Sequence, residues 1–111
     1  MYNQRDILII PIPYTDMSTT KRRPVMVLSN DKYNSSSDDI IVVGITSNIS
    51  NKEYAVLLDN SGMEFGNIPK TSNIRADKIY ALSQKIVVKK YGRVNKITFK
   101  AVVQKLNDLI E

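Results

Sequence analysis

The sequence predicts a mainly β domain with a C-terminal helix: a small, strongly curved sheet or half-closed barrel on which the helix packs. Three observations carry this expectation. Short runs rich in Ile and Val recur through most of the chain. Polar stretches of Asn, Ser, Asp and Gly separate them. Sustained helical periodicity is confined to the last segment.

Residues 7–13 (ILIIPIP) read as the first strand, with Pro11 and Pro13 limiting its end to an edge or an exit. Residues 14–23 (YTDMSTTKRR) lack periodicity and read as an exposed loop. Residues 24–29 (PVMVLS) make a second strand, and residues 30–39 (NDKYNSSSDD) a polar loop. Residues 40–46 (IIVVGIT) are nearly all apolar, as a central strand buried on both faces should be. A turn at 47–52 leads to a fourth strand at 54–58 (YAVLL), followed by a turn region at 59–66 (DNSGMEFG).

Residues 72–82 (SNIRADKIYAL) read as a strand. Its alternation assigns Ile74, Ala76, Lys78 and Tyr80 to one face and Arg75, Asp77, Ile79 and Ala81 to the other. Residues 83–86 suit a short helical turn and residues 87–94 (VVKKYGRV) a last strand. Asn95 is suited to cap the terminal helix. On that helix Phe99, Val102, Val103, Leu106, Leu109 and Ile110 share one apolar face, opposite Lys100, Gln104, Lys105 and Asp108. No linker or repeat interrupts the pattern, so one domain is expected over residues 1–111.

Composition narrows the chemistry. The net charge of +5 comes from 16 Lys and Arg against 11 Asp and Glu. Such an excess solubilises, and it also draws in polyanions by salt-dependent steering. There is no Cys, hence no disulfide, thiol nucleophile or thiolate metal site. There is no His, which removes imidazole acid–base pairs, the Ser-His-Asp triad and the preferred zinc ligands. No cofactor and no metal are expected. Any catalysis must use Asp, Glu, Lys, Arg, Tyr, Ser or Thr. No apolar run is long enough for a membrane span, and residues 1–6 (MYNQRD) are too polar for a signal peptide, so the expected location is cytoplasmic.

Three patches could carry chemistry. Lys21, Arg22 and Arg23 are adjacent cations whose repulsion a phosphate would relieve, and Pro24 biases Arg23 towards an extended backbone. The plainer alternative is a solvated basic loop end. Thr46, Ser47 and Asn48 end the most apolar run; their hydroxyls and amide suit phosphate oxygens or base edges, or simply a turn. Arg75 and Asp77 share a strand face, either as a surface ion pair or as a charge stabiliser beside a base.

Together the patches match what cutting RNA without metal requires. The 2′-OH must lose a proton, the phosphorane charge must be stabilised and the 5′ oxygen must be relieved of charge. Arg23, Thr46, Arg75 and Asp77 could divide those tasks, because RNA supplies its own nucleophile.

The motifs also resemble a known family. Asp6-Ile7, Tyr14-Thr15-Asp16 and Lys21-x-Arg23-Pro24-x-x-Val27-Leu28-Ser29-Asn30 resemble the amino-terminal half of MazF/PemK-type toxins. Ile45-Thr46-Ser47-Asn48 and Ile74-Arg75-x-Asp77-Lys78-Ile79 resemble their second and third motifs, and residues 87–94 with the final helix match their ending. The resemblance implies an SH3-like barrel and a sequence-selective endoribonuclease of a type II toxin–antitoxin system. It also implies a homodimer that binds single-stranded RNA, leaves a 2′,3′-cyclic phosphate and a 5′-OH, and is neutralised by a cognate antitoxin. It assigns phosphate handling to Arg23 and Thr46, and acid and base roles to Arg75 and Asp77. Lys21, Arg22, Ser47, Asn48 and Lys78 are the expected RNA-binding residues.

The chain departs from the family at Arg5, where relatives usually have Gly, at Tyr80, where many have Arg, and at Ser18-Thr19-Thr20, where many carry Glu, Gln or His. Two other readings compete: a non-enzymatic toxin of the same fold that binds DNA gyrase, as CcdB does, and a non-catalytic RNA-binding regulator.

Overall fold

The computed structural model describes residues 1–13, 20–50 and 52–111. Among these, seven strands form one antiparallel sheet: β1 (Asp6–Pro13), β2 (Thr20–Val27), β3 (Asp39–Thr46), β4 (Ala55–Leu58), β5 (Met63–Gly66), β6 (Ser72–Ser83) and β7 (Lys89–Val94). Their spatial order is β4-β6-β3-β2-β1-β7-β5. The sheet curls into a half-barrel, the predicted mainly β architecture. Helix α1 (Asp31–Ser36) lies beside β3, and helix α2 (Lys96–Ile110) packs on β4 and β6.

Period-two alternation gives the sheet two apolar faces. Ile7, Met26, Val43, Ile45, Ile74 and Val94 share a core with Val102 of α2, flanked by Phe99 and Leu106. Leu8, Ile10, Val25, Val27, Ile40 and Val42 form the other core, beside Tyr2, Leu82 and Val87. Each fully buried aliphatic side chain contributes about 1.5–3 kcal/mol, so both faces matter. Asn95 caps α2, its side chain accepting the Thr98 N–H at 2.8 Å. Leu109 and Ile110 belong to the predicted apolar face but are exposed, because the core contacts end near Leu106.

Three local expectations are corrected. The polar stretch 30–39 contains α1, because Asn30 accepts the Tyr33 N–H and caps a short helix. The turn region 59–66 holds a one-turn 3-10 helix (Asn60–Gly62) and then β5. Residues 20–23 extend β2 rather than ending a loop, pairing with Ile10, Pro11, Ile12 and Pro13 of β1. Residues 14–19 of that expected loop lie outside the described residues.

Two irregularities interrupt the ladder of strands. β2 pairs with β3 only from Val25↔Gly44 onwards, so residues 20–24 have β1 on one side and no strand on the other. Pro24, which has no N–H to donate, stands where this pairing stops. Ile45 and Thr46 of β3 continue alone with β6, so the sheet splits between β2 and β3. The second irregularity is in β6. Gly44 pairs with Arg75, yet Val43 pairs with Ile79, leaving Ala76, Asp77 and Lys78 as an unpaired bulge.

Candidate active site

The split in the sheet opens into two clefts. A cleft of about 300 Å³ is lined by Arg23, Pro24, Val25, Gly44, Ile45, Thr46, Arg75, Lys78 and Tyr80. A larger one, about 530 Å³, has an apolar floor that includes Ile9, Ile45 and Ile68. Its cations are Lys21, Arg22, Arg23, Lys70 and Lys89, and no Asp or Glu is among the described residues lining it. Arg23, Pro24 and Ile45 line both, so the clefts meet at the gap between β2 and β3.

The bulge gathers the smaller cleft. Strict alternation would assign Arg75 and Tyr80, five residues apart, to opposite faces. Three extra residues, an odd number, reverse the parity. Arg75 then pairs with Gly44 and Tyr80 with Val42, two positions on the same face of β3. The face assignment expected for residues 72–82 therefore fails beyond Arg75. Gly44 serves this geometry: a side chain there would touch the Lys78 Cβ at 3.4 Å and the Tyr80 ring at 3.7 Å. An isolated Gly inside an apolar strand is the one sequence signal that could have revealed the bulge.

Arg75 and Asp77 form a two-pronged pair. Arg75 Nε donates to Asp77 Oδ1 at 2.8 Å and a terminal nitrogen donates to Oδ2 at 2.7 Å. The side chains keep 19% and 29% of their exposure, so a ligand can reach both. This bonding holds the Asp77 carboxyl below the usual carboxylate range and raises the Arg75 guanidinium above its usual value. Asp77 is accordingly ionised at neutral pH, and Arg75 is held as a cation.

The other expected residues divide. Thr46 lines the smaller cleft, and its hydroxyl accepts the Asn48 N–H at 3.2 Å. Lys78 lines the same cleft. Lys21, Arg22 and Ser47 line the larger one. Asn48 lines neither; its side chain accepts the Ser50 N–H at 3.1 Å within the turn. Sequence reasoning missed Lys70, Lys89 and Tyr91 of the larger cleft, where Lys89 lies 5.5 Å over the Tyr91 ring. They come from distant segments, and nothing local marks them. Among the described residues no group of three or more acidic side chains could hold a metal ion, and no helix is long and apolar enough to cross a membrane.

A curled antiparallel sheet with a terminal helix, split above a cationic cleft, is an architecture shared with toxin proteins. The model of the PemK-like, MazF-like toxin of type II toxin–antitoxin systems matches residues 3–110, and the chain belongs to this family. No curated protein matches it. Among solved structures, an endoribonuclease in complex with its cognate antitoxin from a mycobacterial species superposes with a TM-score of 0.80 at 18% identity, over 97% of this chain and 93% of that one. MazF from Deinococcus radiodurans gives 0.78 at 18% identity, over 98% and 96%. The Mycobacterium tuberculosis toxin MazF-mt6 gives 0.75 at 18%, over 94% of each. At such identity the likeness establishes the fold.

Proposed function

We propose that this toxin acts as a single domain over residues 1–111 and is a sequence-selective, metal-independent endoribonuclease of single-stranded RNA. The observation that carries the reading is the convergence of Arg23, Thr46, Arg75 and Lys78 on one cleft, with Asp77 held against Arg75. Arg23, Thr46 and Lys78 hold the phosphate beside the bond to be cut. Each Asp77 oxygen keeps a second lone pair beyond its bond to Arg75, so the carboxylate can accept the 2′-OH proton without leaving its partner. Arg75 stays charged and faces the negative charge that develops on phosphorus.

As the 2′ oxygen bonds to phosphorus, the bond to the 5′ oxygen breaks. The products are a 2′,3′-cyclic phosphate and a 5′-OH. The neighbouring nucleotides run into the larger cleft. There Lys21, Arg22, Lys70 and Lys89 meet phosphates, Ser47 offers a hydroxyl, and Tyr91 offers a ring for a base to stack on. Asn48 acts through the turn it closes.

Family membership supports the remaining partners: a second copy of the chain in a homodimer, and a cognate antitoxin that covers the RNA site in the cytoplasm. The mycobacterial endoribonuclease bound to its antitoxin supports the latter. The test is cleavage of a long single-stranded RNA in excess EDTA, with the ends analysed. Cyclic-phosphate and 5′-OH ends are expected, and Arg23→Ala should slow cutting by about 10²-fold or more while staying folded. Intact RNA, or cutting only with added metal, would refute the reading. Inhibition of gyrase supercoiling by protein that leaves RNA intact would replace it with the gyrase-binding alternative.

A further inference from the structure

The ribonuclease reading leaves one proton without a donor. The departing 5′ oxygen must be protonated, and Arg75 is a poor source because Asp77 raises its affinity for its own proton. We infer that Tyr80 is a catalytic residue whose phenol donates a proton to the leaving 5′ oxygen. The inference rests on the ribonuclease reading.

Four observations carry it. The bulge turns Tyr80 onto the face that bears Gly44 and Arg75, and its side chain lines the same cleft as Arg23, Thr46 and Arg75. Its ring lies against the space that Gly44 leaves empty, so its position is set by backbone. The residue is 43% exposed, and its hydroxyl makes no hydrogen bond to any described residue, so it is open to substrate. The phenolate left after donation shares the cleft with Arg23, Arg75 and Lys78, whose charges oppose its own. Lys78 is the other proton carrier lining the cleft, but donation would remove a positive charge from beside the phosphorane. A neutral phenol donates without that loss.

The step balances. The 2′ oxygen–phosphorus bond forms, the 2′-OH proton passes to Asp77, the phosphorus–5′ oxygen bond breaks and the phenol proton passes to the 5′ oxygen. Asp77 then returns its proton through water to the phenolate, a much stronger base than a carboxylate. Both groups are restored, and no other reactant is consumed.

The test compares two RNAs of one sequence, one natural and one with sulfur in place of the bridging 5′ oxygen. A thiolate leaves readily without a proton. Tyr80→Phe keeps the ring over Gly44 and removes only the hydroxyl. It should slow cleavage of natural RNA by about 10²-fold or more, yet cut the sulfur RNA within about threefold of the parent protein. Lys78→Gln should slow both RNAs alike. Wild-type rates for Tyr80→Phe on natural RNA would overturn the inference. Equal slowing on both RNAs would also overturn it, as the signature of a binding or structural role. If the parent protein cuts neither RNA, the ribonuclease reading itself has failed, a result these variants cannot mimic.

Discussion

Two aspartates in this sheet each take an arginine partner, and they are built for opposite ends. Asp6 is fully buried at the β1–β7 seam. Arg93 donates to Oδ1 at 2.9 Å, Lys90 lies 3.3 Å from Oδ2, and the Asn3 N–H donates to Oδ2 at 2.8 Å. Little of the carboxylate is left for a ligand. Asp77 sits on a bulge at the far side of the sheet, with one arginine and open solvent. A saturated, buried ion cluster fixes a strand seam. A half-exposed pair at a split in the sheet holds charges ready for something that arrives later. Residue type alone does not separate the roles; burial and the number of partners do.

The sharpest way to break this contrast is to remove the buried anion. Asp6→Ala leaves Arg93 and Lys90 facing each other without a counter-charge and the Asn3 N–H without its acceptor. A loss of about 3–5 kcal/mol is expected in urea unfolding. A loss under about 1 kcal/mol would show that the seam does not depend on this cluster. The next largest effect belongs to the neighbouring glycines. Gly66 has φ 77°, and a Cβ there would collide with the Tyr91 carbonyl oxygen and the Gly92 Cα. Gly66→Ala should lose about 2–3 kcal/mol, from left-handed strain and from prising β5 off β7.

The contrast also explains what the sequence made legible. The terminal helix and its Asn95 cap are written in neighbouring residues, and the structure holds both. Arg75 and Asp77 two positions apart were visible for the same reason. Asp6 with Arg93 was not, because their contact spans 87 positions and no periodicity links them. Helix α1 was missed because Asn30 and the serines after it suit loops and helix caps equally. Tyr80 was assigned to the wrong face because period-two reasoning assumes an unbroken ladder, and three bulged residues reverse it. Residue order therefore shows which groups are available. Irregular pairing decides which of them meet.

Asp77→Asn tests the open pair. Stability should change by less than about 1 kcal/mol, because exposed ion pairs contribute little. RNA cleavage should fall by about 10²-fold or more, since an amide cannot accept the 2′-OH proton. Acid sharpens the point. The folded-state pKa of Asp77 is lowered, so its contribution to stability is fully present above the ordinary carboxylate value of about 3.9 and is lost only as pH falls through the lower folded value. The stability difference between the parent protein and Asp77→Asn should be the same at pH 7 and pH 5 and should shrink below about pH 4. A difference that already shrinks between pH 7 and pH 5 would mean that Arg75 does not hold the carboxylate as described.

The smallest expected effect falls beside Asp6, at Arg5, and its sign is the informative part. Arg5 has φ 78°, the left-handed backbone that glycine adopts without strain. Its N–H donates to the Val27 carbonyl at 2.9 Å and its carbonyl accepts the Val94 N–H at 3.0 Å, so the conformation is locked into the seam. The guanidinium donates to the Val94 carbonyl at 2.8 Å and to Glu64 at 3.1 Å. These bonds offset the backbone cost of about 1–2 kcal/mol. Arg5→Gly trades both terms and should shift stability by less than about 1 kcal/mol. Arg5→Ala loses the side-chain bonds and keeps the strain, so it should be the less stable of the two variants. Elsewhere in a strand alanine outlasts glycine, and if it does so here, the left-handed backbone is not what sets the choice of residue at this position.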